Sequence, residues 1–430
     1  MEPSTAYLRR PAKKSRRTTI QDLSDDALCM VFAFLDIFEL IRSSAVCSSW
    51  RKIVQKLKLL QIQYHRKHKN DANEQCLTSS SARSLNDHLE HLATDKHRSS
   101  LMGCNANVFQ HRCHSFGVNQ CRLKMGHFLT GVGDKVMRLW SAESYKCLDE
   151  YFLPDKAPLI DFDFDESKVV GLVGDRMCIW NRTETRTILS SRDGIFTKGL
   201  CMRYVDPEAV IGCEDGKVRI FDLYSKKVTQ IIKMHAGPVT CLYFGEDQLL
   251  FSGSTQGGMV SLLDLSCGQP VPLRTTSYSS AGIKTLCFNP GSNYLFAGST
   301  AGHVFCWDLR RRDRTLWENR VSPNVLNSMH HLRNDKSTLV VGGIDGVLRV
   351  VDQDSGEVMS LHIMGEERSH ASSGSSGRSM IVRKVKKLSS GDRIDLLSIA
   401  CRPKITCLAV GMQKVVTAHN QNYINVWKFK

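Results

Sequence analysis

One frame of residues recurs from about position 105 to the end of this 430-residue chain, and it limits what the chain can fold into. The clearest copy spans 214–223. Asp215-Gly216 makes a tight turn, Lys217-Val-Arg-Ile-Phe221 follows as an alternating segment, and Asp222 closes it. The frame returns at 133–140, 174–181, 255–265, 300–309, 344–352 and 420–429. Taking Trp140, Trp180, Phe221, Leu263, Trp307, Val351 and Trp427 as equivalent positions, the steps are 40, 41, 42, 44, 44 and 76 residues. In an extended strand Val218 and Ile220 share one face while Arg219 and Phe221 share the other. Val347-Leu-Arg-Val-Val351 is apolar on both faces, as a strand enclosed between neighbouring sheets would be. A period of about 40–45 residues with four short strands per unit predicts a propeller blade. One blade cannot bury its own faces, so several must stack in a ring.

The pairs Trp307-Asp308, Phe221-Asp222 and Leu263-Asp264 end the frame, and on these residues the stretch 105–430 resembles the WD-repeat family. The resemblance implies a seven-bladed WD-repeat β-propeller over 104–430. His235, in Met-His-Ala-Gly-Pro-Val, matches the histidine that precedes an inner strand in WD repeats, which implies a structural hydrogen bond with Ser252. The last step exceeds one blade by about 34 residues, and the excess falls at about 365–390. There Ser-His-Ala-Ser-Ser-Gly-Ser-Ser-Gly-Arg precedes Arg383-Lys-Val-Lys-Lys387, a composition that predicts a flexible insertion. Lys430 directly follows the strand 423–429, so the outer strand of that blade must come from elsewhere. Residues 105–112 have the position and alternation to supply it and to remove the exposed edge.

The N-terminal part is organised differently. Residues 1–18 carry Arg9-Arg10, Lys13-Lys14 and Arg16-Arg17 without apolar periodicity, and predict a disordered basic arm. Ser24 is suited to cap a helix whose first turn holds Asp25 and Asp26. Leu28, Phe32 and Leu35 then recur at helical spacing with Val31 in the same stripe. A second segment, 37–45, leads to Val46-Cys-Ser-Ser-Trp50-Arg51, and Ile53, Val54 and Leu57 continue a third helix. Three short helices make a small core that usually needs a partner. The series Leu23, Asp25, Leu28, Val31-Phe32, Leu35, Leu40, Val46-Cys47 and Trp50-Arg51 resembles an F-box, with Ser24 where that family usually has Pro. The resemblance implies that 19–62 is a three-helix F-box. It further implies that Leu23, Leu28, Val31, Phe32, Leu35, Leu40, Val46, Cys47 and Trp50 meet a Skp-family adaptor. Residues 63–103 read as a linker with a short helix capped by Ser84, carrying Leu85, Leu89 and Leu92 on one face.

Composition bounds the rest. Apolar residues at 42% and charged residues at 23% describe a chain able to build a sizeable core. The longest apolar stretch, 27–41, is interrupted by Asp36 and Glu39 and is too short for a bilayer. A polar, basic opening and 16 scattered cysteines predict a reducing compartment, cytoplasmic, nuclear or both, and no membrane partner. Cys104, His111, Cys113, His114 and Cys121 make one close set, whereas a zinc site needs a second close pair. Neither metal nor cofactor is expected. No phosphate-binding Gly-Lys-Ser/Thr loop, Gly-x-Ser-x-Gly elbow or His-Glu-x-x-His helix occurs, so no enzymatic site is expected.

Two function classes follow. By resemblance, an F-box followed by WD repeats implies the substrate receptor of a ubiquitin ligase. The helices dock the adaptor, which links to a cullin-RING ligase, and the ring holds a target protein through residues that stay unknown. The alternative is a scaffold associated with nucleic acid or chromatin. Residues 1–70 carry 14 Lys/Arg against 6 Asp/Glu, and 383–387 add a basic cluster. The turns of the frames carry Asp175, Glu214-Asp215 and Asp345, acids that disfavour a phosphorylated target, though Arg192 and Arg203 remain as candidate phosphate contacts.

Overall fold

The structure is a computed structural model. It describes residues 23–44, 46–56, 85–103, 105–112, 114–131, 135–153, 157–182, 188–190, 198–266, 268, 270–273, 281–311, 315–365, 380–389 and 391–430. The basic arm and most of the expected linker lie outside the described residues. The chain divides into two units, 1–91 and 92–430.

The first unit holds α1 (Asp25–Ala33), α2 (Ile37–Ser44) and α3 (Ser48–Lys56). Each start is fixed by a side chain. Ser24 Oγ accepts the Ala27 amide at 3.3 Å. Asp36 and Glu39 cap each other's amides at the head of α2, at 2.8 and 3.2 Å, which is a capping box with Asp in the hydroxyl position. Cys47 Sγ accepts the Trp50 amide at 3.5 Å and starts α3. Leu28, Phe32, Leu40, Ile53 and Val54 are buried and form the core between the helices. Phe32 meets Trp50 edge-on, with ring centroids 5.2 Å apart.

In the second unit β1 (Ala106–Arg112) precedes five four-stranded antiparallel sheets. These are β2–β5 (Gln120–Lys124, His127–Gly131, Val136–Ser141, Cys147–Phe152) and β6–β9 (Leu159–Phe164, Lys168–Val173, Arg176–Asn181, Ile188–Ser190). Then come β10–β13 (Gly199–Val205, Glu208–Cys213, Lys217–Asp222, Lys227–Lys233) and β14–β17 (Val239–Phe244, Leu249–Ser254, Val260–Asp264, Pro270–Leu273). The fifth is β18–β21 (Ile283–Asn289, Tyr294–Ser299, His303–Asp308, Thr315–Arg320). A sixth, nine-stranded sheet contains β22–β25 (Leu326–His330, Thr338–Gly343, Leu348–Asp352, Val358–Met364), β26 (Met380–Leu388) and β27–β29 (Cys407–Gly411, Lys414–Ala418, Tyr423–Phe429). Its order is β22-β23-β24-β25-β26-β1-β29-β28-β27. The leading strands touch one another in the closed order β2, β6, β10, β14, β18, β22, β27 and back to β2. The recurring frame coincides with β4, β8, β12, β16, β20, β24 and β29.

Turn chemistry agrees with the frame. Gly216 and Gly346 adopt φ of 74° and 72°, and a Cβ on either would run into the backbone carbonyl of His235 or Arg402. The closure expected from 105–112 is present: β1 pairs along its whole length with β29, from Ala106 opposite Phe429 to Arg112 opposite Tyr423.

The insertion is a correction. Residues 380–388 are not loop but strand β26, which pairs with β25 on one side and β1 on the other. The two edges it fills would otherwise carry unpaired amides and carbonyls, and that demand outweighs the polar composition. Val385 and Leu388 are buried while Lys384, Lys386 and Lys387 are exposed. Residues 366–379 lie outside the described residues.

A fourth helix, α4 (Leu85–Met102), is longer than the short one expected. Its part within the second unit is held by named contacts. Leu92 and Leu101 are buried. His97 Nδ1 accepts the Gln413 amide at 2.9 Å, and the carbonyl of Leu101 lies 2.8 Å from His362 Nε2.

Candidate partner-binding surfaces

In the helical unit, α1 is apolar on two faces, and the fold tells them apart. Leu28 and Phe32 point inward against α3 and are 4% and 2% exposed; Leu40 on α2 is fully buried. These three, expected to meet a partner, are buried here and hold the helices together. Leu35, Cys47 and Trp50 are half-buried, and Cys47 serves as the cap of α3. Leu23, Val31 and Val46 are exposed.

Beside them lie two residues the sequence reading passed over, Met30 at 65% and Phe34 at 91% exposure. Leu23, Ala27, Met30-Val31 and Phe34 recur at three- and four-residue steps, so the signal was there as a second helical stripe. It is an exposed apolar stripe along α1 and its two ends, the kind of patch that marks interaction surfaces.

In the second unit the inner strands carry a polar belt. Asp161 on β6 accepts from Arg122 of β2 at 2.8 Å and faces Arg203 of β10 at 3.4 Å. Lys124 lies 2.6 Å from Asp163. Burial pushes the Asp163 carboxyl up, but Lys124, Arg122 and Arg203 outweigh it and hold it below the usual carboxylate range. His330, on β22, is pushed down to about 3 by burial and by the neighbouring charges of His331, Arg122 and Arg203. Arg203, a candidate phosphate contact in the sequence, therefore already faces a buried carboxylate; Arg192 lies outside the described residues.

Next to the belt runs a girdle of small polar side chains, each reaching the following inner strand. The Asp161 carboxylate accepts the Met202 amide at 3.0 Å, Cys201 Sγ donates to the Val239 carbonyl at 3.5 Å, and Cys241 Sγ to that of Ile283 at 3.9 Å. Ser328 Oγ accepts the Leu408 amide at 3.0 Å, and Cys407 Sγ donates to the Cys121 carbonyl at 3.4 Å. The even spacing of 161, 201 and 241 was the available sequence signal.

Histidines tie sheets internally. His235 Nε2 lies 2.9 Å from Ser252 Oγ, as expected. Trp140 Nε1 donates to Thr130 Oγ1 at 2.9 Å, with His114 Nε2 at 2.9 Å from the same oxygen. Trp427, Thr417 and His419 repeat the arrangement. These contacts account for His114 of the close cysteine–histidine set. The His111 ring lies against Tyr145 and Cys121 is buried, while Cys104 and Cys113 lie outside the described residues.

Comparison with known proteins places these two units. The F-box domain profile matches residues 20–62, and the profile named WD domain, G-beta repeat matches 270–308. An F-box/WD-40 repeat-containing protein of Arabidopsis thaliana is 47% identical over 97% of this chain and 97% of its own. The human angio-associated migratory cell protein is 23% identical over 38% of this chain and 35% of its own. The COMPASS component SWD3 of Saccharomyces cerevisiae is 27% identical over 33% of this chain and 44% of its own.

Proposed function

Since the chain belongs to the F-box/WD-40 repeat-containing proteins, we propose that it is the substrate-recognition subunit of a Skp-cullin-F-box ubiquitin ligase. In this reading α1–α3 are a three-helix F-box that docks a Skp-family adaptor. The second unit is a seven-bladed propeller, its nine-stranded sheet counting as two blades joined by β26, and it holds the target protein. The chain carries no chemistry of its own and works in the cytoplasm, the nucleus or both. Its contribution is proximity: tethering a target beside the transferring subunits raises their effective concentration, by up to about 10²–10⁴-fold in avid systems.

The observation that carries the reading is the uncovered apolar stripe of α1, Leu23, Met30, Val31 and Phe34, on a helical unit whose own core is already filled. Affinity purification from cells with the proteasome inhibited tests it, comparing the full chain with one lacking 19–56. The adaptor and cullin are expected to vanish from the shortened chain while target proteins persist. Retention of the adaptor by the shortened chain refutes the assignment.

A second reading, association with nucleic acid, has one observation behind it. Lys384 and Lys428 flank Asn107 in one row across β26, β1 and β29, and Lys414 extends the row. Binding that falls steeply with salt would favour it.

A further inference from the structure

Two cysteines lie on neighbouring strands where the ring closes on itself. β2 and β27 are inner strands of neighbouring sheets, and Cys121 and Cys407 on them share one packed cluster with Ala409 and Val416. Cys407 Sγ is 3.4 Å from the Cys121 carbonyl, a contact across 286 residues of sequence. Cys121 Sγ is 3.8 Å from the Val416 carbonyl. On the belt side, Arg122 Nη1 lies 3.7 Å from Cys407 Sγ, and Ser328 Oγ lies 3.9 Å from it. A guanidinium and a hydroxyl thus converge on the Cys407 sulfur, and a guanidinium beside a sulfur favours thiolate over thiol.

The acidities agree with this geometry. Hydrogen bonding from Cys121, and then the charge of Arg122, hold the Cys407 thiol below its ordinary range against the effect of burial. The same hydrogen bond, with burial, pushes Cys121 up. At Cys201 and Cys241, elsewhere in the girdle, burial outweighs the nearby cations and pushes the thiols up. Cys407 is 5% exposed, and the Arg122 side chain beside it is 14% exposed.

We propose that Cys407 and Cys121 are a peroxide-oxidisable pair that closes into a disulfide across the ring seam. The Cys407 thiolate attacks one oxygen of hydrogen peroxide. The S–O bond forms, the O–O bond breaks, and the departing hydroxide takes a proton to become water; sulfur is oxidised by two electrons to the sulfenic acid. Cys121, giving up its proton, then attacks that sulfur. The S–S bond forms, the S–O bond breaks, and hydroxide leaves with the proton as a second water. The balance is two thiols and one peroxide to one disulfide and two waters, and thiols of the reducing pool reverse it. The product ties the first inner strand of the ring to the last, on the side opposite the β1–β29 pairing.

The test treats the reduced full chain with hydrogen peroxide and maps peptides without reduction. The expected product is a linked pair of peptides holding Cys121 and Cys407, with a raised melting temperature that reductant reverses. Cys121→Ser should halt at a sulfenic acid on Cys407 that dimedone traps. Cys407→Ser should leave Cys121 free to alkylation after the same treatment. Arg122→Met should slow oxidation of Cys407 several-fold, and Arg122→Lys, which keeps the charge, should largely restore the rate; thermal melts of each variant before oxidation confirm that the fold survives. The proposal is overturned if both thiols remain alkylatable after peroxide. It is equally overturned if Cys407 reacts no faster than Cys201, or if its sulfenic acid accumulates in the unaltered chain without the link forming.

Discussion

Phe34→Ala and Phe32→Ala separate docking from folding on a single helix. The two side chains lie two positions apart, Phe34 at the C-cap of α1 and 91% exposed, Phe32 within α1 and 2% exposed. Truncating Phe34 removes a ring that touches little in the free chain, so the fold should change by no more than about 0.5 kcal/mol. If a partner covers the Leu23–Phe34 stripe, the same change deletes a central aromatic anchor worth about 2 kcal/mol or more. That loss weakens adaptor binding by about 30-fold. Truncating Phe32 instead opens a cavity in a three-helix core and removes the edge contact with Trp50. A buried Phe→Ala change costs about 3–5 kcal/mol, as much as so small a core can supply. Binding of purified adaptor to the full chain, followed by titration calorimetry, gives the first quantity. Hydrogen exchange of residues 25–56 gives the second. Phe34→Ala should lose binding with protection intact, and Phe32→Ala should lose both. Adaptor affinity within about twofold of the unaltered chain for Phe34→Ala would refute the docking stripe, because an anchor at that position must show a hot-spot loss.

Removing 105–112 strips β29 of its partner and leaves an open edge; a lower melting temperature or aggregation is expected, and an unchanged melt would mean the ring closes another way. Arg349→Met leaves Asp345 buried without its guanidinium partner, the two being 1% exposed each, and should cost about 3–5 kcal/mol in denaturant unfolding. His97, His362 and His419 are held neutral by burial, each pushed down to about 4. The unfolded chain binds those protons from pH 6.5 downward while the folded chain refuses them, so stability present above pH 6.5 should fall steadily toward pH 4 in a melting series. Cations near the rim turns already face acids, as in Arg176 with Asp175, Lys198 with Glu214 and Arg219 with Asp215. Target capture by the full chain should therefore survive phosphatase treatment of the extract, and loss of captured proteins would reverse that expectation.

What the sequence made legible follows from how many constraints each stretch obeys. Strands such as Lys217–Asp222 and Leu348–Asp352 are enclosed between sheets, so alternation, turn glycines and period all point to one structure. The β1 closure was legible because 105–112 alternates like a strand just ahead of the first sheet, and it pairs with β29. β26 obeyed no such rule. Its lysines and the Ser/Gly run before it describe a loop, and only the two edges waiting at β25 and β1 make it a strand.

The helical unit failed for the opposite reason, an excess of signal. Leu28, Met30, Val31, Phe32 and Phe34 all present apolar side chains within seven residues, and helical period alone yields two stripes of nearly equal strength. Which stripe is core is decided by α3, whose Trp50, Ile53 and Val54 take the side bearing Leu28 and Phe32. A helix that must satisfy both its own core and a partner has to be apolar on both faces. On the proposed reading the weak amphipathicity of α1 follows from that double demand, and the residues facing away from α3 are the ones a partner would cover.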